Sequence, residues 1–451
     1  MTGRDGAPAA TVIDVRDEIA GARLGRYHVL LTALVGLIVF FEGYDTFNAA
    51  YVLHYVIGPW GLSAGQAGLL ISSAMVGFML GALIQGKASD RFGRRATLLA
   101  ALWIATAFSL ATAVVADSAW SFAALRFVTG IGLGTLLPVS VAYLNEFAPL
   151  RLKHSFATWG WGLGFSLGGI CASFIGIFLT PTWGWPALYY FASLSGVLAI
   201  VCHVLLPESP QFLAVRGLTA EIPRVLARLR PERASLYRRS DVRYSIDESG
   251  QHAGSVTQLF APRYRRTTVA AWTAAFFVLF AIYGLTGWVP TAMMQRGETF
   301  AASFGFGALI LAMNFFGTLG CGAAIEPLGG AHRAMSLWWS AGAAAIGLLG
   351  VVNVSAVNMV CLAAAGFFVL GGQGALNNAT AAWYATEIRS TALGWMLGVG
   401  RLGAILGPVV TGALKDLYPG GGALFAAIAA ASLGGAIAIS FAALRPGSDE
   451  R

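Results

Sequence analysis

Gly86-Lys-Ala-Ser-Asp-Arg-Phe-Gly-Arg-Arg95 is the stretch that decides the fold. It is a basic loop between two long apolar segments, at about 65–86 and 96–116. The glycines permit a tight turn and the close approach of helices. Asp90 can accept hydrogen bonds from the N-terminus of a neighbouring helix or from an arginine. Such a loop predicts two membrane-spanning helices joined on the side of the membrane that holds the basic loops.

The composition extends this prediction to the whole chain. Of 451 residues, 57% are apolar and only 11% are charged, whereas a soluble domain has about a quarter charged residues. This difference excludes an ordinary cytosolic enzyme and a disordered protein. The apolar residues suffice for about a dozen membrane helices of about 20 residues each.

Twelve apolar stretches are long enough to cross a bilayer, and their lack of strict alternation excludes a transmembrane barrel. We therefore predict an all-α membrane protein of two six-helix bundles. The stretches lie at about 28–57, 65–86, 96–116, 119–145, 154–180, 185–206, 267–294, 302–325, 334–352, 356–383, 390–414 and 421–444. The predicted domains are an N-terminal tail (1–26), a first bundle (27–206), a central loop (207–266), a second bundle (267–444) and a C-terminal tail (445–451).

Basic residues predict the orientation. The even-numbered loops are basic, with eleven arginines in 207–266 alone, whereas loops 58–64 and 180–184 have no Lys or Arg. Because basic loops remain in the cytoplasm, we expect both termini there and the chain in the plasma membrane, the inner membrane of a bacterium. The net charge of +8 belongs to these loops, so nucleic acid is not an expected partner. Within the central loop, the helical spacing of Leu218, Ile222, Val225 and Leu229 predicts an amphipathic helix on the membrane face.

The two halves repeat at a fixed offset of 236 residues (322 − 86 = 236). Matched pairs include Gly81 with Gly317, Gly86 with Gly322, Asp90 with Glu326, Gly93 with Gly329 and Gly130 with Gly366. A parallel repeat of six spans is typical of one large class of secondary transporters.

Five charged residues break the repeat, because each faces an apolar residue in the other copy. They are Glu42, Asp45, Arg126, Glu146 and Arg401. A residue needed only for packing should be replaceable by an apolar one, and the other copy shows that replacement. We therefore interpret these charges as functional.

Glu42 and Asp45 lie about one turn apart on the first span, with Asn48 one turn further. Two desolvated carboxylates at close range cannot both ionise cheaply, so the pair is predicted to carry protons. Arg126 in the fourth span costs at least about 2.5–3.5 kcal/mol without a partner. We expect it to favour the ionised acid until a substrate anion competes. A structural ion pair and helix packing are the alternatives.

Arg401 lies 12 residues past Arg389, or about 18 Å deeper in the membrane at 1.5 Å per residue. Its guanidinium suits a carboxylate, so it is either the anchor of an acidic substrate or the partner of an acid in the first half. Further substrate-binding candidates are polar or aromatic residues for which core packing is the alternative: Tyr44, Asn48, Trp159, Tyr283 and Gln373. For Glu146 and Arg389, interfacial anchoring is at least as good an explanation as function.

No metal or cofactor is expected. The four cysteines have no metal-ligand spacing, and the sequence contains no nucleophile elbow or phosphate loop. These observations argue against an enzyme, and we expect the chain to act as a monomer.

Several motifs resemble those of the major facilitator superfamily, and in particular its aromatic acid:proton symporters. The motifs are Gly86–Arg95, Glu42-Gly-Tyr-Asp45, Arg126-Phe-Val-Thr-Gly130, Pro207-Glu-Ser-Pro210 and the run from Ile388 through Arg401 to Pro408. The resemblance implies two six-helix bundles, proton-driven uptake of aromatic carboxylates and roles for Asp45, Asp90, Gly93, Arg126, Glu146, Arg389 and Arg401. Gly86, Asp90, Arg91, Gly93 and Arg389 are the predicted gating residues, which would hold the cytoplasmic side closed and release it on rocking. The alternative is that the basic residues only fix the topology. Two departures are Glu42, which replaces an aspartate, and the degenerate second loop at 326–333.

Three other functions remain open from the sequence. A sugar transporter shares the Pro-Glu-Ser-Pro motif, but this chain lacks a Pro-Glu-Thr motif after the last span. A drug/proton antiporter carries Gly-Pro in the fifth span, which here has Gly168-Gly169 without proline. A membrane-embedded enzyme or a chemoreceptor would bind its ligand without moving it.

Overall fold

The computed structural model describes residues 11–152, 164–239, 241–246, 255–418 and 421–442. Twelve helices in these ranges are long and apolar enough to cross a membrane, which confirms the predicted all-α membrane fold. We number them spans 1 to 12. In order they are Arg26–Val56, Ala64–Phe92, Arg94–Val115, Ala119–Phe147, Gly164–Trp183, Pro186–Leu205, Arg265–Gln295, Phe300–Ala324, Ala331–Val351, Ser355–Trp383, Glu387–Leu417 and Gly422–Ser440.

The connection between spans 2 and 3 is shorter than predicted. Span 2 continues as a helix to Phe92, and span 3 starts at Arg94. Only Gly93 lies between them, with a positive φ of 97° that favours glycine. The Gly86–Arg95 stretch is therefore mostly helical, because Lys, Ala and Arg are good helix formers once the chain has left the apolar layer.

Two spans depart from a regular helix. Span 6 is interrupted at Leu194, which separates helices Pro186–Ser193 and Ser195–Leu205. Span 10 contains a π-helical turn at Gly366–Leu370 between helices Ser355–Ala365 and Gly371–Trp383. Such turns are often found at functional sites.

The structure repeats contacts at the offset found in the sequence. A Cβ at Gly130 would lie 2.1 Å from the carbonyl oxygen of Ala74, and one at Gly366 would lie 2.4 Å from that of Ile310. Both residues of the second pair are 236 positions further along (310 − 74 = 366 − 130 = 236). Small residues let these helices touch at the same points in both halves.

The repeat shifts by one residue in the loop after the second span of each half. Gly93 precedes span 3 with φ 97° and ψ 161°, and the residue with the matching conformation before span 9 is Gly330, at φ 134° and ψ 157°. The predicted match of Gly93 with Gly329 is therefore wrong by one position, because the second loop contains one more residue.

The two halves meet at one end of the molecule. We call the end where span 1 starts and span 12 ends the tail end, and the opposite end the far end. Toward the far end, Ser72 donates a hydrogen bond to the carbonyl of Ile405 and Ser173 to that of Phe304, each at 2.6 Å. At the tail end, a Cβ at Gly86, Gly394 or Gly398 would meet nothing within 4 Å. The halves are thus in contact at the far end, whereas these three tail-end glycines face open space among the described residues.

The N-terminal tail and the central loop form a folded unit at the tail end. Strand β1 (Thr11–Asp14) pairs in parallel with β2 (Val242–Ser245). Four short helices accompany them: α1 (Val15–Ala20), α2 (Pro210–Val215), α3 (Ile222–Leu229) and α4 (Ala234–Tyr237). The apolar face of α3 is buried in a cluster with Ile19 and Leu31, so the prediction that it lies on the membrane face is wrong.

Glu18 of α1 holds this unit together. Its carboxylate accepts hydrogen bonds from Arg230 at 2.8 Å, from the hydroxyl of Tyr237 at 2.6 Å and from Arg233. Burial, together with the adjacent Glu18 carboxylate, raises the pKa of the Tyr237 hydroxyl, which therefore remains a donor.

Candidate transport site

Asp45 on span 1 and Arg126 on span 4 form a buried ion pair. Arg126 donates from Nη1 to the carboxylate at 2.6 Å and from Nη2 to the main-chain oxygen of Asp45 at 2.8 Å. Asn48 and Ser109 donate to the same carboxylate, at 3.0 and 2.5 Å, and the guanidinium lies over the ring of Tyr189. All these groups belong to the first half, so the pair is enclosed within one bundle.

Glu42 has different surroundings, although it lies only three residues from Asp45. Its side chain is fully buried, and neither carboxylate oxygen has a hydrogen-bond partner among the described residues. Glu42 lies within electrostatic range of Arg401, which belongs to the second half. The two acids predicted to work as a pair thus have separate partners.

Arg401 on span 11 lies where the two halves face each other. Its Nη1 donates to the hydroxyl of Tyr283 on span 7 at 3.1 Å. The guanidinium carbon lies 3.9 Å from the centre of the Phe78 ring on span 2, a cation–π distance that joins the halves. Arginine, tyrosine and an aromatic face together supply charge, a hydrogen-bonding hydroxyl and an apolar wall.

The other predicted binding residues have varied positions. Tyr44 is buried and donates to the carbonyl of Leu188 at 2.9 Å, within the first half. The side-chain amide of Asn48 donates a hydrogen bond to the carboxylate of Asp45. Gln373 lies half-buried on span 10, where its amide donates to Asn377 at 3.1 Å. Trp159 lies outside the described residues.

The predicted gating residues lie at the tail end. Asp90 pairs with Arg94 at 3.1 Å, and its side chain is 73% exposed. Arg94 also pairs with Glu146 at 2.8 Å, so Glu146 is about one span length from Asp45. Arg91 and Arg389 are exposed. In this conformation the Asp90 carboxylate has its described ion pair inside the first half.

Several residues that bind the end of span 2 and the start of span 3 were not predicted from the sequence. Glu208 accepts hydrogen bonds from the backbone N–H groups of Arg94 and Arg95, which start span 3. Arg216 donates to the carbonyls of Asp90 and Arg91 at the end of span 2. Glu208 lies in the Pro-Glu-Ser-Pro motif. The motif drew attention to this residue, but nothing in the sequence indicated that it binds the start of span 3. Within the described ranges, no three His, Cys, Asp or Glu side chains are grouped as metal ligands would be.

Comparisons with known proteins agree with this architecture. Residues 33–331 match the family model of the Major Facilitator Superfamily. The gallate transporter of Pseudomonas putida is 33% identical over 445 residues, which cover 96% of this chain and 95% of that protein. The 4-hydroxybenzoate transporter PcaK of Pseudomonas aeruginosa is 33% identical over 91% of both chains.

Solved structures show the same fold. The D-xylose-proton symporter has a TM-score of 0.70 at 16% identity, covering 91% of this chain and 97% of that one. A bacterial homolog of the human lysosomal transporter Spinster, facing inward and unoccupied, has a TM-score of 0.68 at 18% identity, with coverage of 93% and 95%.

Two repeated six-span bundles with charges at their interface, and the family match, define a multi-pass membrane transporter. The chain belongs to the major facilitator superfamily. Within it, the chain belongs to the aromatic acid:proton symporter family.

Proposed function

We propose that this transporter imports an aromatic carboxylate together with protons, by alternating access, across the inner membrane of a bacterium. The observation that carries the proposal is the arrangement of Glu42 and Arg401. Glu42 of the first half has no hydrogen-bond partner among the described residues, and it lies within electrostatic range of Arg401 of the second half. The relatives named as gallate and 4-hydroxybenzoate transporters supply the substrate class.

Arg401 is the proposed anchor for the substrate carboxylate. A guanidinium binds a carboxylate through two parallel hydrogen bonds, and an aromatic acid is an anion at neutral pH because its carboxyl group ionises near pH 4, roughly as a side-chain carboxyl does. The Phe78 ring and the Tyr283 hydroxyl adjoin the guanidinium. An aromatic ring can pack against Phe78 while its carboxylate replaces Tyr283 as a partner of Arg401.

Glu42 is the proposed proton carrier. While Arg401 has no substrate, its charge compensates an ionised Glu42. When a substrate carboxylate binds Arg401, the buried acid loses that compensation. An isolated ionised carboxylate in an apolar setting is costly, and protonation removes the charge. Substrate binding and proton uptake are thereby coupled. The Asp45–Arg126 ion pair joins spans 1 and 4 inside the first half, and it lies about one helical turn from Glu42.

The halves are in contact at the far end, and we interpret the state described as the one open at the tail end. Because basic loops lie at the tail end, we assign that end and both termini to the cytoplasm, and the state to release of substrate into the cell. Rocking of one half against the other would exchange the two openings. One chain contains both halves of the site, so a monomer suffices.

Purified protein in liposomes tests this proposal. With labelled 4-hydroxybenzoate outside, an imposed pH gradient, acidic outside, should drive accumulation that a protonophore abolishes. Unlabelled benzoate and gallate should compete with the label, whereas xylose should not. Uptake that ignores the gradient would refute proton coupling, and competition by xylose alone would favour a sugar transporter.

A further inference from the structure

We propose that the amide pair Gln373–Asn377 recognises a hydroxyl group on the substrate ring, so that the substrates are hydroxylated aromatic acids. This inference rests on the proposed function. It goes beyond that function because it assigns ring specificity to two side chains on span 10.

The first observation is an incomplete hydrogen-bond set. Gln373 donates from Nε2 to Asn377 Oδ1 at 3.1 Å, while its own Oε1 is buried and has no partner among the described residues. If the amide is turned over, its NH₂ group is the one left unpaired. A hydroxyl both donates and accepts, so it satisfies the pair in either orientation. A buried amide group left unpaired is destabilising, so a substrate hydroxyl that pairs with it gains affinity.

The second observation is depth in the membrane. Thr380 of span 10 contacts Met396 of span 11 at 3.0 Å. Counted along span 10 from Thr380, Gln373 lies seven residues toward the far end. Counted along span 11 from Met396, Arg401 lies five residues toward the far end. At 1.5 Å per residue, the two are within about 3 Å of the same level. Gln373 is also two turns from Thr380, on the face of span 10 that meets span 11.

The third observation is the repeat. At the 236-residue offset, Gln373 corresponds to Leu137 and Asn377 to Val141. The first half therefore packs apolar side chains where the second half has two amides. The amides occur only in the half that carries Arg401, where a polar ring substituent would need a partner.

Competition assays in liposomes test the assignment with benzoate and 4-hydroxybenzoate. In Gln373→Met, which keeps the length of the side chain, the inhibition constant of 4-hydroxybenzoate should rise about 3- to 10-fold, as the loss of one hydrogen bond predicts. That of benzoate should stay the same or fall. Asn377→Leu should act in the same direction. The matched control is Gln258→Met, the same change at an exposed site before span 7.

Equal loss of affinity for both acids in Gln373→Met, or none for either, would overturn the assignment while leaving the proposed function intact. Failure of the unmodified protein to transport any aromatic acid would instead overturn the proposed function. If Gln373→Met fails to fold, Asn377→Leu gives the same comparison.

A different observation carries a second inference: we infer that Asp416 is the latch of the far-end gate. This residue lies at the end of span 11, and its two carboxylate oxygens accept hydrogen bonds from the backbone N–H groups of Ala64 and Gly65, each at 2.7 Å. These are the first two residues of span 2. A carboxylate of one half thus caps a helix of the other.

The backbones around this cap are in close contact. A Cβ at Gly68 would lie 2.3 Å from the carbonyl oxygen of Pro408, and one at Gly412 would lie 2.4 Å from that of Ala64. Opening the far end separates spans 2 and 11 and breaks both hydrogen bonds of Asp416. The latch therefore favours the state described here over the state open at the far end.

The latch is tested by the rate at which a cysteine at the far-end contact is labelled. In a variant whose four native cysteines are replaced, Ser173→Cys places a thiol at the closed contact with span 8. Asp416→Ala should raise its rate of labelling by an impermeant maleimide from the far side about 3-fold or more, in line with the loss of a helix cap. Glu298→Ala removes a far-end carboxylate whose described partners lie within the second half, so it should leave the rate unchanged.

A labelling rate in Asp416→Ala equal to that of the parent would refute the latch, as would an equal rise in Glu298→Ala. Asp416→Asn, which keeps one acceptor oxygen, should fall between the parent and Asp416→Ala. The unfolding temperature in detergent separates gate opening from general destabilisation.

Discussion

Glu42 and Asp45 show how far the role of an acid depends on its neighbours. Asp45 has three side-chain donors, whereas Glu42 has none among the described residues. The helical spacing put both on one side of span 1, but it could not distinguish them. The Asp45 carboxylate is held in an ion pair with Arg126 inside the first half, whereas Glu42 lies within electrostatic range of Arg401 of the second half. We therefore assign the proton-carrying role to Glu42.

We predict that Glu42→Gln separates exchange from accumulation. The neutral side chain mimics the protonated acid, so labelled 4-hydroxybenzoate should still exchange with unlabelled substrate across the membrane. Accumulation driven by a pH gradient should fall at least about 10-fold, since no group then takes up the proton. Glu18→Gln, in the tail-end unit, is the control for loss of a carboxylate. Full gradient-driven accumulation in Glu42→Gln would contradict the assignment.

The Asp45–Arg126 pair gives a prediction about stability. Arg126→Leu leaves a buried carboxylate without its main partner and should cost about 3–5 kcal/mol. Asp45→Asn combined with Arg126→Gln removes both charges and should cost less. The two variants are compared by thermal unfolding in detergent. A double variant less stable than Arg126→Leu would show that the charges themselves are favourable.

The sequence identifies the charged residues of the site, because the repeat shows apolar residues in their place. It does not identify Ser109 or Phe78. A serine or a phenylalanine in a membrane helix is ordinary, and only the packing of spans 3 and 2 places these side chains beside Asp45 and Arg401.

At the scale of elements, glycines determine how closely the spans pack. A Cβ at Gly134 of span 4 would lie 1.9 Å from the carbonyl oxygen of Phe78, the residue that faces Arg401. Span 4 therefore sets the position of span 2 at the depth of the proposed site.

We predict that Gly134→Val destabilises the protein and displaces Phe78. Overpacking in a filled core costs about 1–3 kcal/mol, and a backbone contact leaves little room for relief. The unfolding temperature and the affinity for 4-hydroxybenzoate should both decrease. Gly305→Val is the control, because a Cβ at Gly305 meets nothing within 4 Å. Equal effects of the two substitutions would show that close contact is not the cause.

Element boundaries were predictable where apolar stretches end, but not where helices continue beyond them. Spans 2 and 3 run into the polar stretch up to Gly93 on both sides. Strand β1 was not predicted, because four residues in a charged tail give no periodic signal and the strand exists only through its pairing with β2.

At the scale of the whole molecule, the tail-end unit is attached to the first half. Glu208 and Arg216 bind the ends of spans 3 and 2, and the side chain of Arg228 in α3 lies over the ring of Tyr27, next to the start of span 1. The unit should therefore move with that half when the transporter changes state.

Two cysteine pairs test this movement in a variant without native cysteines. Val12→Cys with Arg243→Cys joins paired residues of β1 and β2, and this cross-link should leave transport intact. Ser72→Cys with Ile405→Cys joins the halves near the closed end, and this cross-link should abolish transport until a reductant is added. Loss of transport with the first pair would show that the tail-end unit rearranges during the cycle.

The architecture of two repeated bundles followed from the sequence, since the repeat and the apolar stretches are long-range patterns. The conformation of the transporter did not follow from the sequence. Which end is closed depends on contacts such as that between Asp416 and the start of span 2, and these involve backbone groups that carry no sequence signal.

The parallel pairing of β1 with β2 has a consequence for biosynthesis. Residues 11–14 are among the first to be made, yet their partners at 242–245 are made only after the sixth span is complete. During synthesis these four residues therefore lack the partner that makes them a strand, and their backbone N–H and C=O groups remain open to other partners. A first bundle expressed without the central segment would lack that partner permanently, so we expect the tail-end unit not to form when the chain is divided between its bundles.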